Sequence, residues 1–81
     1  MSYPPDKYAH IDLKAAGVNL KDGEPWFLLR GQDVLTPNAM RQYAFRLDRE
    51  GKEDMAADVR LHADAVQEWQ AAHPEWVKLP D

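Results

Sequence analysis

Cysteine is absent from the 81 residues, so no disulfide staples the fold and no thiolate serves as nucleophile or soft metal ligand. The redox compartment is left open by that absence. Basic charge is scarce: ten Lys and Arg stand against fourteen Asp and Glu, a net charge of −4. A binder of phosphate backbones shows a basic patch, so this balance argues against nucleic acid as partner. The acidity is also too slight for a nucleic-acid mimic. No apolar run has the length of a bilayer span or the make-up of a secretory signal. The expectation is a soluble protein of the cytoplasm with no membrane partner. No repeat or low-complexity segment is present. Length itself is short: one domain, 1–81, burying about 60–65% of its unfolded surface. Three Trp, three Tyr and two Phe must supply much of so small a core. Self-association, as a dimer or larger, is a common remedy at this size and is expected here.

What the chain does have is concentrated between Glu24 and Glu50. Trp26, Phe27, Leu28 and Leu29 form a continuous apolar run without helical spacing, which fits a short buried strand or extended segment. Pro25 lacks an amide donor and suits a strand start or edge. Arg30-Gly31-Gln32-Asp33 ends the run. Thr36-Pro37 then reads as a helix start, with Thr36 as N-cap and Pro37 at the first helical position. Leu35 and Met40 have the spacing of a hydrophobic staple across that boundary.

Before this stretch, Met1–Pro5 reads as a loose arm. Tyr8, Ile11, Ala15 and Val18 predict a short helix within 6–16, with Gly17 beyond its end. Asp22-Gly23 is a turn signal between Val18–Leu20 and Trp26–Leu29, which predicts a small two-stranded ribbon. After it, a first long helix runs from Pro37 to about Glu50, its core stripe Met40, Tyr43, Ala44 and Leu47. Gly51 follows it as the residue past the end. A second helix runs from about Glu53 to Ala72 or His73 and stops before Pro74. Its apolar face is Met55, Val59, Val66 and Trp69, with Trp69 in the core. A second stripe is Ala57, Leu61, Ala65 and Ala72. The short connection predicts an antiparallel hairpin. Trp76, Val77 and Leu79 make the tail 74–81 too apolar to hang free, so it should pack back. The expected fold is therefore α+β and mostly helical: a short β-ribbon or extended segment packed on a two-helix hairpin.

Three groups of side chains are candidates for chemistry. Arg30, Gln32 and Asp33 sit at the polar break between two fixed elements, where loop residues are common binding groups. Their structural alternative is that Gln32 and Asp33 satisfy backbone groups at the helix start while Arg30 pairs with Asp33. Arg41, Phe45 and Arg49 form an outward strip, a ring between guanidinium groups suited to a nucleobase or an acidic partner. The alternative is that Phe45 packs under the N-terminal segment or the tail. Asp58 and His62, at i and i+4, are a carboxylate–imidazole pair capable of acid–base work. No nucleophile or phosphate loop accompanies them, so an oriented, half-buried histidine is the plainer reading. His62 and His73 lie eleven residues apart, about 16 Å along a helix, too far to hold one metal ion. Neither a cofactor nor a metal is expected.

The run Glu24-Pro25-Trp26-Phe27-Leu28-Leu29-Arg30-Gly31-Gln32-Asp33, followed by the helix 38–47, resembles small proteins encoded by tailed bacteriophages and prophages. In those, a similar Glu-Pro-x-Phe-x-Leu-Arg-x-Gln-Asp segment precedes a helical hairpin. The resemblance covers about a third of the chain. It brings no catalytic residues. It implies a small accessory protein acting in the bacterial host cytoplasm, where antagonism of a host defence system is a common role. The expectation is a non-enzymatic binding protein for a host protein or a small nucleotide-like ligand, with Arg30, Gln32, Asp33, Arg41, Phe45 and Arg49 at its surface. The alternatives are a small enzyme using Asp58 and His62, and a purely structural self-assembling protein.

Overall fold

The computed structural model of the chain describes residues 13–79. Among them stand two helices, α1 (Thr36–Arg49) and α2 (Glu53–Ala72). Gly51 ends α1 because its backbone is left-handed, at φ 79°, where a Cβ is disfavoured. Its N–H donates to Asp48 and the next N–H, of Lys52, donates to Leu47. Two carbonyls left over by the last turn are thereby satisfied. Arg46 and Arg49 in that turn favour the negative end of the helix dipole. Glu53 and Asp54 do the converse at the start of α2. Pro74 prevents α2 from continuing past His73.

The cross-helix contacts fix the direction of packing. Asp48 pairs with Arg60, and Arg41, nearer the start of α1, reaches Asp64 at 2.9 Å and Gln67 at 2.6 Å. Partners ascend on α2 as they descend on α1, so the hairpin is antiparallel. Its buried seam is made of small residues: Ala44, Ala56 and Ala63 are fully buried, and Leu47 is the large apolar side chain among them. Val59 packs against this cluster. Burying Leu47 contributes about 1.5–3 kcal/mol. The alanines let the two backbones approach closely.

This seam corrects the expected core of α2. Met55 and Leu61 are exposed, Trp69 lies at the surface with 37% of its area exposed, and Tyr43 of α1 is exposed too. Hydrophobicity marks a broad apolar flank of α2, but close helix contact selects Ala56 and Ala63.

The expected β-ribbon is also corrected: no strand forms among the described residues. The turn at Asp22-Gly23 exists, closed by Glu24 N–H to the Lys21 carbonyl at 3.0 Å. A hairpin would next join the Lys21 N–H to the Glu24 carbonyl. Instead the Glu24 carboxylate takes that N–H at 3.0 Å. Pro25 follows at once with φ fixed near about −65°, far from the roughly −140° of an antiparallel strand. Trp26–Leu29 passes on unpaired with Val18–Leu20. An isolated two-stranded hairpin is marginal in any case. Residues 13–17 form a hydrogen-bonded turn, with Gly17 at φ 88°. The N-terminal arm and most of the helix expected within 6–16 lie outside the described residues.

The start of α1 differs by one position from its expectation. Leu35 is the flanking residue, and no side chain caps the helix amides. Thr36 is buried inside the first turn, and its hydroxyl donates backward to the Arg30 carbonyl at 2.7 Å. Asp33 Oδ1 accepts the Leu35 N–H at 2.8 Å. The described part of the tail pairs with the loop 32–34, while Trp76 and Leu79 stay exposed. Lys78 N–H donates to the Gln32 carbonyl and Val34 N–H donates to the Lys78 carbonyl, forming an isolated parallel bridge between Asp33 and Lys78.

Candidate functional site

The loop 30–34 is held from three sides. Thr36 holds it from α1, the tail holds it at Gln32 and Val34, and α2 holds it through Gln70. The Gln70 side-chain amide donates to the Gly31 carbonyl at 2.9 Å and to the Asp33 carbonyl at 2.8 Å. The Asp33 carbonyl also accepts the Thr36 N–H at 3.0 Å, so the Gly31 carbonyl is the one that the Gln70 amide alone keeps from facing a half-buried space unpaired.

Beside this loop lies a triangular cluster of rings. Trp69 and His73 stack at 4.7 Å between centroids, and His73 and Trp76 at 5.0 Å with their planes only 5° apart. Trp69 and Trp76 are 5.9 Å apart. His73 Nδ1 donates to the Trp69 carbonyl at 2.9 Å, which fixes the ring orientation. The spacing 69, 73, 76 continues a helical face through Pro74 into the tail. Reading the stripe only to the helix end separates Trp76 from its partners, which is why sequence reasoning missed the cluster.

Arg30, Gly31, Gln32, Trp69 and Trp76 line one open hollow of about 320 Å³. That is the low end of the roughly 300–1,000 Å³ range of small-ligand sites. Among the described residues, the Arg30 guanidinium and the Gln32 side-chain amide make no hydrogen bond or ion pair. The hollow therefore offers a planar cation, an amide that both donates and accepts, and two indole surfaces. A wider hollow of about 530 Å³ opens where the helices join, but Glu53, Asp54 and Asp58 dominate its lining and no aromatic ring enters it.

The other sequence candidates fall elsewhere. Asp33 is spent on the Leu35 amide. Arg41 turns to α2 and bridges Asp64 and Gln67, so it does not stand in a strip with Phe45 and Arg49. Those two remain together: the Arg49 guanidinium carbon is 5.9 Å from the centre of the exposed Phe45 ring. No hydrogen bond joins Asp58 to His62, and His62 is exposed. No group of His, Asp or Glu able to hold a metal ion occurs among the described residues. No helix there is long and apolar enough to cross a membrane.

No protein-family model, curated protein or solved structure matches this chain.

Proposed function

We propose that this chain is a non-enzymatic binding protein whose recognition surface is the hollow between Arg30, Gln32 and the Trp69–His73–Trp76 cluster, and that it takes a flat, anionic, nucleotide-like group. The observation that carries this reading is the unpaired Arg30 guanidinium beside exposed indole rings. A base stacked on an aromatic side chain contributes about 1–3 kcal/mol. A guanidinium fork suits the phosphate. The loop is already held by Gln70, Thr36 and Lys78, so little ordering entropy opposes binding. The resemblance of 24–33 to phage accessory proteins supplies a context, in which such a protein antagonises a host defence system by sequestering its ligand.

The test uses the native tryptophans as reporters. Titration with a panel of adenine and guanine nucleotides should change their emission for at least one member. Arg30→Ala and Trp76→Ala should each weaken that binding at least tenfold while the helical circular dichroism stays unchanged. No response from any nucleotide, or full affinity in both variants, sinks the reading.

A further inference from the structure

At the end of the hairpin where α1 begins, a second surface stands open. Phe27, Leu28 and Leu29 lead into the loop, Val34 and Leu35 leave it, and Leu79 follows the tail residue bonded to it. All six are between 39% and 71% exposed. The backbone N–H and C=O groups of Phe27, Leu28 and Leu29 make no hydrogen bond among the described residues. The densest apolar run of the chain is thus unburied in both its side chains and its peptide groups.

We propose that this surface is the contact between two copies of the chain, related by a two-fold axis, with the Phe27–Leu29 runs of the two copies against each other. Area favours this occupant. A buried Val, Leu or Phe side chain removes roughly 60–120 Å² at about 25 cal/mol per Å², so these six still expose roughly 200–400 Å² of apolar surface. A standard interface takes about 800 Å² per partner, somewhat over half of it apolar. The six side chains supply the better part of that apolar share.

Charge favours it as well. Each copy carries a net −4, and like charges oppose association. The acidic residues Glu50, Glu53, Asp54 and Asp58 gather where the helices join, the opposite end of the hairpin. The 20 residues of α2 set the two ends about 30 Å apart, beyond a screening length of about 10 Å. Contact through the loop end keeps the acidic ends apart. The unspent peptide groups are self-complementary, since each copy brings both donors and acceptors to a two-fold contact. Pro25 withholds a donor just before the run, which limits lengthwise extension and favours a closed pair over a filament. The hollow's rings, Trp69 and Trp76, are outside this surface, so its failure and the failure of the binding reading are separable.

The experiment is sedimentation of the full chain together with cysteine cross-linking, which the cysteine-free sequence makes clean. The unmodified chain should sediment as a dimer at micromolar concentration, and Phe27→Asp as a monomer of unchanged helix content. Leu28→Cys should form an oxidised dimer at least tenfold faster than Phe45→Cys, whose site is on the outer face of α1. The cysteine comparison stands even where Phe27→Asp fails to fold. A monomer up to millimolar concentration, a dimer undisturbed in Phe27→Asp, or equal cross-linking at Leu28 and Phe45 overturns the proposal. So does a monomer that acquires this contact only with a different protein.

Discussion

Gln70 and Asp33, 37 residues apart, meet through one hydrogen bond of 2.8 Å from the Gln70 amide to the Asp33 carbonyl. The same amide group reaches Gly31. This side chain ties the second helix to the loop that carries Arg30 and Gln32.

Gln70→Leu keeps approximate volume but strands the half-buried Gly31 carbonyl, while the Asp33 carbonyl keeps the Thr36 N–H. Leaving a buried polar group unpaired costs about 1–3 kcal/mol. The unfolding free energy from urea titration should fall by that amount, lowering the midpoint, and affinity for any nucleotide bound at the hollow should fall with it. An unchanged midpoint would show that water replaces the amide without loss.

Thr36 is tested by shape and chemistry separately. Thr36→Val keeps the buried shape and removes the donor to the Arg30 carbonyl, at a cost of about 1 kcal/mol. Thr36→Ser keeps the donor and should lie closer to the native protein. If serine is the worse of the two, packing rather than the hydroxyl governs this site.

Arg41 bridges Asp64 at the surface, with side chains 36% and 63% exposed. Exposed pairs contribute about 0–1 kcal/mol and are screened by salt. Arg41→Ala should therefore shift stability by less than about 1 kcal/mol at low salt, less still in molar salt, and leave nucleotide binding intact. A loss of binding with unchanged stability would place Arg41 in the recognition surface after all.

Gly51→Ala meets open space but must adopt a positive φ of 79°. The expected cost is about 1 kcal/mol, and Gly51→Asn should cost less because asparagine tolerates that conformation. A melting comparison of the two variants decides it. Equal stability of alanine and glycine there would mean the turn relaxes.

Much of the hairpin was legible. Gly51 and Pro74 mark the helix ends because each acts locally on backbone geometry or hydrogen bonding. The packing seam was not, since apolar size favours Met55 and Trp69 while interaxial distance favours Ala56 and Ala63. The ribbon failed on one competing bond, the Glu24 carboxylate on the Lys21 amide, which no periodicity encodes. Arg30 and Gln32 line the candidate hollow, but the loop that carries them is held by Gln70, Thr36 and Lys78 and not by the exposed apolar run before it. Asp33 was consumed by the Leu35 amide, the structural alternative already open for it. Arg41 lies on the side of α1 that α2 covers, so its partners depend on the pairing of helices. His73 and Trp76 were missed because Pro74 marks a boundary for backbone, not for stacked rings.

The bridge between Asp33 and Lys78 sets an order of assembly. The two helices are joined by three residues, so their zippering closes short loops and proceeds early. Joining residue 32 to residue 78 must enclose nearly the entire hairpin, and the entropy of closing a loop rises with its length. The bridge therefore latches last on folding and releases first on local opening. Amide exchange at Val34 and Lys78 should be faster than in the middle of α1 and α2. The hollow lined by Arg30, Gln32, Trp69 and Trp76 then exists only in chains that have completed the final step, and a hairpin that has merely zippered presents no such surface.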